Sequence, residues 1–503
     1  MKKIKYLFFI APFIFSSCSD DDFGVSPIIE EVSVPETVDV TYTSGTANFD
    51  KFVSVGNSLT AGYSDGALFI DGQTNSFPNI LAQQFALAGG GNFTQPLMKD
   101  NLGGLLLGGN QITSNRLFLS FASGSPSPIP VSGTPTTEVS NLLVGPFSNM
   151  GVPGAKSYHL GASGYGNVAG VATGLANPYY ARMATSANAT VIGDAVAQSP
   201  TFFSLWIGNN DILGFATSGG VGIDQKGNLN PATYGGNDIT DPNVFASVYN
   251  SLLTALSANG TKKGIVSNLP SVTTIPYFTT VPYNAIPLDA ATAAMLNQAF
   301  APYNGGLLQL QGMGAVSAAE VSRRTVHFVA GQNPVLILDE DLTNLTVYNP
   351  ALTNMRQATS ADLLVLTSRT FLGTTVGGNA SLINGVSVPL ADKWVLTPEE
   401  QAAVATAIEA YNTTIAALAQ QYGLAFFDAN TLLKQLVNVG ITQNGIKTTG
   451  VYATGGGFSL DGVHPSPRGY AIIANGMIDA INLKYGSNLP KVNVGNYKGL
   501  YIK

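Results

Sequence analysis

The chain has one cysteine, Cys18, and only three histidines among its 503 residues. A single cysteine excludes a disulfide within the chain and argues against a cysteine-ligated metal site. Charged residues make up 11% of the chain, well below the roughly 25% usual in soluble domains. The net charge is −7, and Lys and Arg do not cluster beyond the first few residues. These absences exclude an electrostatic nucleic-acid interface, so we expect no nucleic-acid partner.

No apolar stretch is long enough to span a bilayer. A basic start followed by the apolar run Tyr6–Phe15 predicts a cleaved signal peptide at residues 1–17. Cys18 then resembles the acylated first residue of bacterial lipoproteins, and Asp20-Asp21-Asp22 resembles a surface-export tag. We therefore expect an outer-membrane lipoprotein, with surface exposure as a further expectation, held to the membrane by its lipid anchor. The alternative is a plain secretory signal with an incidental cysteine.

Beyond the cysteine, residues 18–48 show no helical period and predict a flexible tether. From residue 49 to residue 503, short apolar runs alternate with amphipathic segments, which is typical of an α/β sheet with parallel strands. The runs that predict buried strands are Phe52–Val55, Thr201–Ile207, Gly264–Leu269 and Leu424–Phe427.

Helical spacing of apolar residues is clear in Phe77–Leu87, in the segment from Pro398 to Gly423, and in Pro467–Leu483. Thr397 and Glu400 form a predicted capping box at the start of the second of these helices. Residues 212–245 and 279–393 show no such alternation, and we interpret them as insertions into the domain.

Ser58 follows the first predicted strand across the break Gly56-Asn57. Its hydroxyl is expected at the carboxyl edge of the sheet, where clefts form in open α/β folds. Its backbone N–H would lie at the positive end of a helix. This position suits a nucleophile, and the alternative is an ordinary helix-capping serine.

Asp461 and His464 lie three residues apart in the stretch from Ser459 to Pro465. A histidine base needs a partner on Nδ1–H to fix its tautomer, and Asp461 on a tight loop can supply one. Nε2 would then be free to accept a serine proton. The alternative is that Asp461 caps the following helix and His464 is a surface residue.

Four blocks in order resemble the SGNH, or GDSL, hydrolase superfamily of esterases and lipases. They are Gly56-Asn57-Ser58-Leu59, the loop ending at Gly154, Gly208-Asn209-Asn210-Asp211 and Asp461-Gly462-Val463-His464. The resemblance implies a three-layer α/β/α, flavodoxin-like fold with a parallel sheet and long loop insertions.

The resemblance also implies a role for each residue. Ser58 would be the nucleophile, His464 the general base and Asp461 its orienting partner. The oxyanion hole would take the backbone N–H groups of Ser58 and Gly154 and the side-chain amide of Asn210. The chain departs from the family at Asn57, where an aspartate is usual. Whether Asp461 or a backbone carbonyl chiefly orients His464 stays open at this point.

The expected activity is a serine ester hydrolase that cleaves the ester of a lipid or an acylated glycan through an acyl-enzyme. The alternatives are a carbohydrate O-acetylesterase and a non-catalytic, ligand-binding surface lipoprotein. No HExxH motif or Cys/His cluster occurs, so we expect no cofactor and no catalytic metal. The triplet Asp339-Glu340-Asp341 is compatible with Ca²⁺, although a solvated acidic turn is the favoured interpretation.

Overall fold

A five-stranded, wholly parallel sheet forms the centre of the fold. The computed structural model describes residues 40–122 and 124–502, and the compact unit that contains the sheet begins at Tyr42. The strands, in chain order, are β1 (Phe52–Gly56), β2 (Asn149–Gly151), β3 (Phe202–Trp206), β4 (Lys263–Ser267) and β5 (Ala425–Phe427). Their spatial order is β2-β1-β3-β4-β5. The order reverses on either side of β1, which creates a crevice beyond its carboxyl end.

Thirteen α-helices occur in the described part of the chain. They are α1 Ser58–Ala61, α2 Ile70–Thr74, α3 Phe77–Ala86, α4 Pro178–Ala181, α5 Val191–Ala197, α6 Asn210–Thr217, α7 Pro242–Leu256, α8 Pro276–Thr279, α9 Ala290–Gly312, α10 Ala318–Arg324, α11 Pro398–Gln421, α12 Ala429–Asn438 and α13 Pro467–Tyr485. No helix of this part of the chain is long and apolar enough to cross a membrane.

Short strands outside the central sheet pair within the loops and the long insertion. These are Leu105–Leu107 with Asn110–Gln111 and Thr137–Glu138, Leu117–Ser120 with Ser127–Pro130, Ile286–Leu288 with Gly331–Asn333, Leu336–Leu338 with Met355–Gln357, Leu363–Leu364 with Val395–Leu396, Thr375–Val376 with Asn379–Ile383, and Ile441–Gln443 with Ile446–Thr448.

Aromatic packing holds α3 and α13 against one face of the sheet. Phe52 and Phe202 are paired in register on β1 and β3. The Phe85 ring of α3 lies 4.9 Å from the Phe52 ring and 5.5 Å from the Phe202 ring. Tyr485 is the last residue of α13, and the centroid of its ring lies 5.8 Å from that of the Phe202 ring. Burial of these rings supplies much of the driving force for this layer.

The helices α5, α7 and α11 pack in a row and form the other layer. Phe245 of α7 and Tyr411 of α11 stack with ring centroids 4.2 Å apart. The predicted capping box is present at the start of α11, where Thr397 N–H donates to Glu400 Oε2 at 2.6 Å. The expected three-layer α/β/α fold is therefore confirmed.

The amino-terminal boundary differs from the expected one. Ala47 and Phe49 are buried in the main core, and Thr46 N–H donates to the Tyr485 carbonyl at 2.8 Å. The residues from Tyr42 to Asn48, which the sequence places in the tether, therefore belong to the folded unit. Apolar burial at Ala47 explains the shift.

The segment 279–393 builds a second hydrophobic core of its own. Its largest element is α9, whose buried side chains include Leu296, Phe300 and Leu307. The sequence did not reveal this helix because two of its large apolar residues, Met295 and Leu308, are each 62% exposed. They interrupt the helical spacing of apolar residues by which a buried helix face is recognised. The other expected insertion, 212–245, contains most of α6, and Ile212 and Phe215 belong to the main core.

Candidate active site

Three adjacent strands bring the candidate residues to one edge of the sheet. Gly56, the last residue of β1, is paired with Gly151 at the end of β2 and with Trp206 at the end of β3. Ser58 follows β1, the loop ending at Gly154 follows β2, and Asn210 follows β3. Because β1 lies between its two neighbours, Ser58 is placed between the other two candidates.

The turn before Ser58 is held by side-chain hydrogen bonds. Asn57 caps α1 by accepting the Leu59 N–H at 3.0 Å, and its amide donates to Asn209 Oδ1 at 3.2 Å. Gly56 is required because a Cβ there would overlap Thr60 Oγ1 and the Trp206 carbonyl. The sharp strand-to-helix turn therefore presents Ser58 at the sheet edge.

Ser58, His464 and Asp461 form a hydrogen-bonded chain. His464 Nε2 lies 2.9 Å from Ser58 Oγ, and His464 Nδ1 lies 2.8 Å from Asp461 Oδ2. With the proton on Nδ1 facing the carboxylate, Nε2 is the acceptor of the serine hydroxyl. The group that faces Nδ1 is thus the Asp461 carboxylate.

Asp461 is held by four further donors. Its Oδ1 accepts the N–H groups of Val463 and His464, each at 2.8 Å, and the Ser459 hydroxyl at 3.0 Å. Its Oδ2 also accepts the Gly66 N–H at 2.9 Å. Burial raises the pKa of Asp461, but the His464 ring and these donors outweigh burial and hold it at about 2. The carboxylate is therefore ionised and fixed in position at neutral pH.

Asp65 supports the same loop from the other side. Its Oδ1 accepts the Leu460 N–H at 2.8 Å, and its own N–H donates to Ser459 Oγ at 2.9 Å. Burial raises the pKa of Asp65 to about 7. Sequence reasoning missed Asp65 and Gly66, since no local motif marks residues whose partners lie some 395 positions away.

The three candidate oxyanion donors differ in their bonding. The backbone N–H groups of Ser58 and Gly154 have no acceptor within the part of the chain that the structure describes. Asn210 Nδ2 donates to the Ala155 carbonyl at 2.9 Å, and a primary amide has a second hydrogen to donate. Gly154 has φ of +81°, a conformation that favours glycine.

A family model described as "GDSL-like Lipase/Acylhydrolase" matches residues 52–477. The chain belongs to this family. The resemblance seen in the sequence is confirmed, and this GDSL-like protein is a hydrolase that acts on ester bonds. No curated protein matches the chain.

An apolar cavity opens beside Ser58 and His464. It is a cleft partly open to solvent, with about 840 Å³ of space that includes open solvent, and both Ser58 and His464 line its wall. Most of the remaining wall is aliphatic or aromatic, including Leu59, Trp206, Leu213, Ile275, Leu432 and Ile472. The cavity thus offers an apolar surface next to Ser58.

The other two histidines lie apart from this cavity. His159 Nδ1 accepts the Lys156 N–H at 3.1 Å, and its ring stacks on Tyr165 at 4.6 Å. Burial lowers the pKa of His159 to about 4, so it is neutral near pH 7. His327 is exposed in the long insertion. Cys18, the predicted lipidation residue, lies outside the described residues.

Proposed function

We propose that the protein is a lipid-anchored serine esterase that cleaves esters with an apolar acyl group through an acyl-enzyme. The observation that carries this proposal is the apolar cavity lined by Ser58 and His464, whose Oγ and Nε2 atoms lie 2.9 Å apart. An acyl chain of several carbons would bury its surface there, with a gain of about 0.8 kcal/mol for each CH₂ group. An acetyl group would leave most of the cavity unused. The O-acetylesterase alternative is therefore the less favoured one.

In the proposed reaction, His464 Nε2 takes the proton from Ser58 Oγ as that oxygen forms a bond to the ester carbonyl carbon. The carbonyl oxygen becomes an oxyanion, and the N–H groups of Ser58, Gly154 and Asn210 donate to it. Asp461 stabilises the imidazolium that forms.

Collapse of this intermediate breaks the bond to the alcohol, which leaves with the proton from His464. Water then attacks the acyl-enzyme, transferring a proton to His464. The second tetrahedral intermediate collapses to free acid and regenerated Ser58, whose oxygen recovers the proton. No cofactor is required for either half of the cycle.

Membrane attachment is a separate part of the proposal and rests on the sequence alone. Cys18 behind a short signal peptide supports an acylated anchor in the bacterial outer membrane, and a lipid or acylated glycan at that membrane would supply the ester. Several acyl chains at one residue would anchor the protein stably, because a single chain binds only marginally.

The test is a series of nitrophenyl esters from acetyl to dodecanoyl, with kcat/KM measured for wild type and for Leu432→Trp. We expect wild type to favour the longer chains by about 10-fold or more over acetyl. Leu432→Trp should narrow the cavity and lose that preference while keeping the acetyl ester. Leu483→Trp, at an exposed position on α13, is the matched control. A wild-type preference for acetyl would contradict the proposed acyl specificity.

A further inference from the structure

Three carboxylates from separate segments converge at the junction of the long insertion with α11. Glu340, Asp392 and Glu400 each offer one oxygen, and these oxygens all lie within 4.8 Å of one another. None of the three forms an ion pair with a Lys or Arg in the part of the chain that the structure describes. Three acidic groups this close repel one another strongly unless protons or a cation neutralise them.

Several oxygens at this junction are buried without a hydrogen-bond partner. Glu400 is only 7% exposed, and its Oε2 accepts the Thr397 N–H in the α11 capping box. Its other oxygen, Oε1, is buried and has no hydrogen-bond partner among the described residues. Asp392 Oδ1 and the amide oxygen Asn354 Oδ1 are likewise buried without a hydrogen-bond partner there. An unsatisfied buried oxygen costs about 1–3 kcal/mol, and more when it carries charge. These three oxygens therefore lack a hydrogen-bond donor among the described residues.

A cavity adjoins two of the three carboxylates, those of Glu340 and Asp392. Glu340, Asn354 and Asp392 line a cavity together with Asp339 and the loop from Gly220 to Gly222. A Cβ at Gly220 would overlap Glu400 Oε1, so this loop lies directly against the buried carboxylate.

We propose that Glu340, Asp392 and Glu400, with the amide oxygen of Asn354, bind a calcium ion. The donor set is made only of oxygens, which suits a hard cation, and no histidine or cysteine belongs to the described cluster. Calcium takes six to eight oxygens with flexible geometry, so water entering from the cavity can complete the shell. Magnesium demands nearly ideal octahedral geometry and fits this irregular set less well.

The bound ion would join three parts of the molecule. Glu340, Asn354 and Asp392 belong to the long insertion, and Glu400 lies in the first turn of α11. The loop at Gly220 follows α6, the helix that begins with Asn210. Calcium therefore acts as a structural brace that holds the insertion against the hydrolase core.

The experiment uses the full chain after treatment with a chelator, titrated with CaCl₂ in a calorimeter and melted with and without 5 mM CaCl₂. We expect one calcium site and a rise in Tm of about 3 °C or more. Glu340→Gln and Asp392→Asn should each weaken binding by at least about tenfold. Glu409→Gln, at an exposed position on α11, is the matched control and should bind like wild type.

The metal-free melting temperatures separate this proposal from general damage to the fold. Removing one of three repelling charges should leave Tm unchanged or raised in both variants without calcium, while the calcium-dependent rise disappears. The same rise in wild type and in both variants would place any calcium elsewhere and overturn the proposal. If wild type showed neither binding heat nor a rise in Tm with CaCl₂, the proposal would be wrong. If MgCl₂ gave the same binding heat and the same rise in Tm, the assignment to calcium would be wrong.

Discussion

The side-chain amide of Asn57 donates to Asn209 Oδ1 at 3.2 Å. Asn57 Oδ1 already accepts the Leu59 N–H, so its nitrogen must face Asn209. This bond links the turn before Ser58 to the turn before Asn210. An aspartate, usual at this position in the family that the sequence resembles, can cap α1 equally well. It would accept from Asn209 after that side chain rotates, which explains why asparagine is tolerated here.

Asn57→Ala should lower the free energy of unfolding by about 1–2 kcal/mol, because α1 loses its cap and Asn209 its partner. Asn57→Asp should keep both interactions and stay within about 0.5 kcal/mol of wild type. Urea unfolding of the two variants measures the difference. Equal destabilisation by the two substitutions would contradict this account of the turn.

Asn210→Ala should reduce kcat by about 10²- to 10³-fold with a much smaller change in KM, because its amide donates mainly to the developing oxyanion. Asn210→Asp keeps the size but loses the donor, and its charge would repel the oxyanion, so it should be at least as damaging. Steady-state kinetics on one soluble aryl ester gives both constants. An unchanged kcat in Asn210→Ala would mean that Asn210 has only a structural role, through its hydrogen bond to the Ala155 carbonyl.

The raised pKa of Asp65 predicts that the free energy of unfolding depends on pH. Burial raises its pKa from 3.8 to about 7, aided by Asp461 and opposed by the Leu460 N–H, Arg116 and His464. The folded state therefore binds this proton more tightly than the unfolded state. Its stabilising contribution is complete below about pH 4 and is lost as pH rises through 7. Between these limits the loss is about 1.4 kcal/mol per pH unit.

Asp65→Asn removes this titration while keeping an acceptor for the Leu460 N–H. The difference in free energy of unfolding, wild type minus variant, should fall steadily from pH 4 to pH 7. Denaturant unfolding at several pH values measures it. A difference that is constant over this range would show that Asp65 is not protonated in the folded protein.

Four of the five central strands could be predicted from the sequence, because each is an apolar run between turn residues. β2 could not, since Asn149–Gly151 has three residues and Met150 is its only large apolar side chain. The second hydrophobic core could not be predicted for a different reason. Met295 and Leu308 are exposed apolar residues on α9, and they interrupt the helical spacing of its apolar residues.

The candidate site, like the fold, could be predicted only where its residues lie in short local motifs. Ser58, Asp461 and His464 could be named because each lies in a short local motif, and the structure places them within hydrogen-bonding distance. Asp65 could not be named, because its role depends on contacts with Ser459 and Leu460, far away in the chain. The cavity likewise combines side chains from several elements and has no signature in any single stretch.

Anchoring makes a prediction for cells. Cys18→Ser should move the protein from the membrane fraction to a soluble fraction, since the acyl chains expected on Cys18 are the proposed membrane anchor. Fractionation with immunodetection measures the distribution, and Ser17→Ala beside the cysteine is a control that keeps the acylated residue. A Cys18→Ser protein that stays in the membrane fraction would contradict the lipoprotein prediction.

The central claim is that His464 activates Ser58 as a nucleophile. Its most direct test is labelling with a fluorophosphonate, followed by mass spectrometry of the tryptic peptides. We predict a single adduct on Ser58 in wild type, no adduct in Ser58→Ala, and labelling slowed by about 10³-fold or more in His464→Ala. An adduct on another serine, or wild-type labelling rates in His464→Ala, would contradict the claim.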